Sequence, residues 1–220
     1  MSTTTRGDLS VTNTQASQTS WYHGFTQAAT TKYWAAAARI SIGFVFLWAF
    51  LDKNFGWQFT TPKGQGWMFA TGDGSPTFGF LTFGTNPDGP FASTFNNLGA
   101  QAGVASADGP PTLYPGSWVN WIFMLSLLGI GLSLMLGFMV RISSIGGAVL
   151  LGLMWLAEAP WANAIDPDTG QGTFNNPFMD EHIIFAIALI MLMLFTAERT
   201  WGLGKRWQST GFVQRFPWLA

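Results

Sequence analysis

The chain has 220 residues, of which 48% are hydrophobic and only 10% charged, whereas roughly a quarter of an average soluble domain is charged. A formal net charge of −1, with basic residues few and scattered, leaves no electrostatic footprint for nucleic acid. The absence of cysteine excludes disulfides, thiol nucleophiles, Cys-ligated zinc and iron–sulfur clusters within the chain.

The first element is a tail, residues 1–31, rich in Ser, Thr and Gln and lacking the apolar core of a signal peptide. It reads as a disordered cytoplasmic segment. The rest, residues 32–220, reads as one transmembrane domain. Crossing the hydrocarbon takes about 20 mostly apolar residues, and four stretches come close: 34–51, interrupted by Arg39; 118–140, without a charge; 142–161, with Glu158 near its end; and 182–197. The predicted fold class is therefore all-α, a polytopic four-helix bundle in the cell membrane. Its long outer loop, 52–117, joins spans one and two. That loop is dense in Gly, Pro and Phe, and short interfacial pieces are expected at 78–83 and 91–98. The final segment, 199–220, interleaves Trp201, Trp207, Phe212, Phe216 and Trp218 with Lys205, Arg206 and Arg215, the pattern of an interfacial anchor.

Lys and Arg set the orientation. They occur near the N-terminus (Arg6, Lys32), in the turn between spans two and three (Arg141) and after span four. The loop 162–181 has Asp166, Asp168 and Asp180 but no Lys or Arg. Both termini are thus expected on the cytoplasmic side. Small residues at Gly129, Ser133 and Gly137 in span two, and at Ala148 and Gly152 in span three, are expected to let helices approach closely.

Ionisable residues within spans are costly and draw attention. Arg39 either snorkels to cytoplasmic headgroups or contacts an anion or quinone inside the bundle. Asp52 and Lys53 end span one, Glu158 ends span three, and Asp180, Glu181 and His182 begin span four. In the predicted topology these three ends meet at the outer face. Asp180 and Glu181 also suit the positive end of a helix dipole. His182 beside carboxylates is a candidate proton carrier. The histidines, His23 and His182, lie at opposite ends of the predicted topology, so a haem held by two of them is not expected. No metal site is expected.

The stretch from Arg39 to Lys53, the run from Asn175 to His182 and the segment Arg199 to Gly204 resemble the DoxX/DoxD family of four-helix membrane proteins, from about residue 33 onward. The resemblance implies a quinone-reducing membrane subunit of a thiosulfate:quinone oxidoreductase. Quinone would then be the lipid-soluble substrate, and the partners would be the bilayer and a second redox subunit. In that reading His182, Glu181, Asp180 and Glu158 carry the proton chemistry. Trp48, Trp155 and Trp161 hold the quinone ring, and Arg39, Asp52 and Lys53 contact substrate. Two alternatives stand beside it. One is a non-catalytic subunit that docks or stabilises a redox complex. The other, ranked lower, is a small-solute transporter using Arg39 and Glu158.

Overall fold

A computed structural model describes residues 29–68, 74–104, 112–113, 117–162, 174, 176–194 and 200–219. Residues 1–28 of the predicted tail, the residues 195–199 that close span four, and Asp166 and Asp168 lie outside the described residues, and the last three tail residues, 29–31, belong to the first helix.

Helix α1 covers Ala29–Phe55. At 1.5 Å per residue it is about 40 Å long, enough to cross a bilayer with a turn or two to spare. The long loop after it contributes a π-helical turn at Phe80–Gly84, helix α2 at Ala92–Ala102, and two-residue antiparallel strands β1 (Gly103–Val104) and β2 (Thr112–Leu113). Helix α3 spans Trp118–Leu136 and α4 spans Val140–Glu158, which is continued by a 3₁₀ turn at Pro160–Ala162. Helix α5 covers Glu181–Leu194. Short helices α6 (Gly204–Gln208) and α7 (Gly211–Arg215) and a last 3₁₀ turn (Pro217–Leu219) complete the chain. Three of these helices are long and apolar enough to cross a membrane: α1, α3 and α4 with its 3₁₀ extension. Helix α5 is a shorter apolar helix.

The long helices pack α1 on α3, α3 on α4 and α4 on α5, with α5 also touching α1. Ile42, Phe46, Met124, Leu127, Ile130, Leu134, Leu151 and Leu189 fill the space between them. Large apolar side chains such as Phe44, Leu125, Val149 and Ile184 face outward. A protein in water would bury such a surface, whereas lipid solvates it.

The glycines that matter for packing differ from the expected set. A methyl group on Gly43 would fall 2.8 Å from the Met135 amide nitrogen, and one on Gly131 would fall 2.7 Å from that of Leu47. Close approach of α1 and α3 therefore rests on this pair, while Gly147 makes room for Leu189 of α5. Gly129 and Gly152, which share the expected small-residue faces, have open space around them. Gly137 has another task, as the left-handed cap of α3 at φ 69°. Interval-of-four spacing identifies a face, but only the helix rotation decides which face meets a neighbour.

One end of the helices is organised by Arg39, which is wholly buried. Its Nη1 donates to the carbonyls of Leu134 and Met135, and its Nη2 to those of Thr200 and Trp201, the last at 2.9 Å. The last carbonyls of a helix have no partner within it, and a cation at that end also meets the negative pole of the dipole. Arg39 thus caps α3 from a neighbouring helix and ties the C-terminal segment to it. The Leu203 amide adds a 2.8 Å bond to the Leu136 carbonyl, and Tyr33 packs its ring on Trp201. Arg39 is turned into the bundle rather than toward headgroups, with both terminal nitrogens donating to backbone carbonyls. A methyl on Gly137 would lie 2.5 Å from Arg39 Nη1, so this glycine supplies both the left-handed turn and the room for the guanidinium.

Replacing Arg39 by Met leaves those carbonyls unsatisfied in an apolar setting and lowers the unfolding free energy by roughly 2–4 kcal/mol. Gly137→Ala costs about 1–2 kcal/mol from backbone strain alone. Because the two share one contact, the double variant is less destabilised than the sum. Thermal or denaturant unfolding in detergent checks all three values.

Candidate functional site: the end opposite Arg39

The opposite end is built from the loop between α1 and α3, laid over the ends of α1, α3 and α4. Polar side chains pin that loop. Asn120, fully buried in the first turn of α3, accepts hydrogen bonds from the hydroxyls of Ser75 and Thr77. Buried Asn86 donates through its amide to the Ala157 carbonyl at 3.0 Å and through its side chain to Ala159 at 3.3 Å. These satisfy carbonyls at the end of α4, where Ala159 turns left-handed at φ 43°.

Asp52 and Lys53 part company. Asp52 is buried and accepts from the Thr60 hydroxyl (2.7 Å) and from the amides of Thr60, Thr61 and Phe59 (2.8, 3.0 and 3.3 Å). Its carboxylate thereby organises the loop that follows α1. Lys53 instead lines two adjoining cavities. One, of about 300 Å³, lies between α3 and α4 under the π turn and α2. Its walls are almost entirely apolar: Phe80, Leu81, Phe95 and Leu98 from the loop, Trp118, Ile122 and Phe123 from α3, Leu150, Leu153 and Met154 from α4. The other, of about 430 Å³, is more polar, with Thr60, Thr61, Gln65 and Ser75 in its wall. Lys53, Pro76 and Phe80 are common to both. Trp118, Ile122 and Leu153 are also exposed, so the apolar cavity borders the outer surface of the helices.

A second constellation sits where α4 ends and α5 begins. Glu158, Asp180 and His182 come together, with the imidazole Nδ1 2.9 Å from Asp180 Oδ2 and 3.6 Å from Glu158 Oε2. Asp180 Oδ1 accepts from the Ile183 amide at 3.1 Å, so one carboxylate oxygen caps α5 while the other faces the imidazole. His182 is buried, Glu158 and Asp180 are half-buried, and Glu181 is exposed. Of the expected outer-face residues, the structure thus brings these three together, with Glu181 near enough to act on Glu158 through its charge, while Asp52 and Lys53 belong to the loop and its cavities.

The expected aromatic trio also divides. Trp155 packs on Trp161 (4.6 Å between centroids) and on Phe178, whose carbonyl accepts its indole N–H at 3.0 Å. Trp48 belongs to another ring cluster, with Phe44, Trp57 and Phe59. None of the three lines the apolar cavity. Sequence reasoning passed over Phe80, Phe95, Trp118, Ile122 and Met154, which do. The available signal was Asn120, an amide at the start of an otherwise apolar span, which needs partners from outside its helix.

No family model, no curated protein and no solved structure matches the chain.

Asp180→Asn keeps the cap, since Asn serves as well as Asp, whereas Asp180→Ala costs about 1 kcal/mol. Thermal unfolding of the pair separates capping from any charge effect. Asn86→Ala and Asn120→Ala loosen the loop from its supports, with faster protease cleavage within 74–104 and unchanged cleavage of 204–219.

Proposed function

We propose that this chain is a four-span membrane protein with both ends cytoplasmic, and that its outer end binds a lipid-soluble molecule of quinone type. The observation that carries the reading is the cavity between α3 and α4, apolar on nearly every wall, with one ammonium at its junction with a polar chamber. About 300 Å³ is at the lower end of the size of small-molecule sites. An apolar slot suits a ring and the start of an isoprenoid tail, and Lys53 suits a carbonyl oxygen that becomes more negative on reduction. Exposed Trp118, Ile122 and Leu153 offer entry from the lipid side.

The four-span topology is supported by three long apolar helices, by apolar α5 packed on α4, and by charge. Around Arg39 the described residues carry Lys32, Arg141, Lys205, Arg206 and Arg215. The far end carries Asp52, Asp88, Glu158, Asp180 and Glu181 against Lys53 and Lys63. That asymmetry favours the Arg39 end inside. The DoxX/DoxD relationship rests on the motifs at 39–53, 175–182 and 199–204. In that reading the electron donor is thiosulfate or a second redox subunit, because the chain has no cysteine and only two histidines with which to hold an iron–sulfur or haem relay.

A photoreactive quinone analogue tests the binding claim. In lipid nanodiscs it labels peptides covering 118–126 and 150–154, native quinone competes, and Ser126→Phe, which fills the cavity, abolishes labelling without loss of folding. Labelling spread over the α1 and α5 faces, untouched by Ser126→Phe, contradicts the reading. One observation favours the second reading, a non-catalytic docking or stabilising subunit: Arg39, Asp52, Asn86 and Asn120 are all spent on backbone or loop contacts. Absence of cavity labelling together with a co-purifying redox partner selects it.

A further inference from the structure

The junction of α4 and α5 has a chemistry that the cavity reading does not use. We propose that Glu158, Asp180 and His182 form a binding site for one divalent transition-metal ion. This inference is independent of the quinone reading.

Geometry is the first support. One ligating atom from each residue lies within 4.8 Å of the other two. Atoms bound to a common zinc ion at about 2.1 Å stand roughly 3–3.5 Å apart. The imidazole Nδ1 is 2.9 Å from Asp180 Oδ2 and 3.6 Å from Glu158 Oε2, which brackets that range. Modest closure of the two carboxylates completes a three-ligand face, leaving the remaining positions to water. One imidazole with two carboxylates is a donor set that suits zinc or manganese.

Charge is the second support. Two half-buried carboxylates converge where, among the described residues, no Lys or Arg pairs with them; the ion pairs there are with His182 alone. The sequence from 162 to 181 supplies no basic residue either. One imidazolium balances one carboxylate, whereas a divalent cation balances both and removes their mutual repulsion.

The local fold is the third support. Asp180 Oδ1 is fixed on the Ile183 amide, which orients Oδ2 toward the cluster. His182 is held in the first turn of α5 and is only 7% exposed. Asn86 anchors the end of α4 through the Ala157 and Ala159 carbonyls on either side of Glu158. The ligands therefore sit on the rigid ends of two packed helices, which a metal would cross-link.

The test uses the full-length protein in nanodiscs, stripped with a chelator and titrated calorimetrically with ZnCl₂ and, separately, MnCl₂. Expected is one ion per chain and a rise in unfolding temperature on binding. Glu158→Gln and Asp180→Asn each weaken binding by roughly tenfold or more and remove the temperature rise. Asp180→Asn retains the helix cap, so its metal-free form unfolds near the wild-type temperature. The proposal is overturned if the wild-type protein takes up no stoichiometric ion, which returns His182–Asp180 to a plain ion pair or proton carrier. It is equally overturned if both variants bind like wild type, which places the ion elsewhere.

Discussion

A guanidinium buried among apolar helices must find acceptors, and the end of a helix in lipid must find donors. Arg39 and the last turn of α3 answer both requirements at once. The chain passes from α3 to α4 through Gly137, which leaves room for the arginine, and the segment after α5 returns to offer Thr200 and Trp201 as further acceptors. Because this knot involves α1, α3 and the C-terminal segment, it fixes one end of the helices and allows the other end to be assembled from loop. Removing any strand of the knot leaves polar groups without water or partner, the situation lipid tolerates least.

The far end is held by more distributed bonds. Asp52 folds its own loop, Asn86 closes α4, Asn120 receives the hydroxyls of Ser75 and Thr77, and Asp180 caps α5. The cavity and the carboxylate–imidazole cluster are two products of that assembly. They share α4, with Met154 in the wall of the one and Glu158, a turn later, in the other. A ligand or ion at either would stiffen the same helix end, and coupling between them would pass through α4.

The long apolar helices were legible because a helix with no polar face has no side to turn toward water. Helix ends were nearly so: α3 stops at Gly137 and α4 begins at Val140, where the sequence alone suggests an unbroken run to 140. The convergence of Glu158 with Asp180 and His182 was also legible, since antiparallel neighbours bring the end of one helix beside the start of the next. What pattern could not supply was rotation and loop path. Gly129 and Gly131 differ by two positions and only the second meets Leu47. Trp48 and Lys53 share a helix, yet one packs among rings and the other lines a cavity. Arg39 was noticed for its cost, but its acceptors lie 95 and more residues away, beyond the reach of any local rule.

The roles proposed for the cavity and for the Arg39 knot depend most on which end of the molecule faces which side of the membrane. The chain has no cysteine, so single cysteines report cleanly. Ser93 lies exposed on α2 above the cavity and Ser209 lies exposed beside α6. Labelling intact cells with a membrane-impermeant maleimide should modify Ser93→Cys and spare Ser209→Cys until the cells are opened. Modification of Ser209→Cys in intact cells, or equal access to both positions, would contradict the placement of Arg39 inside and of the cavity outside.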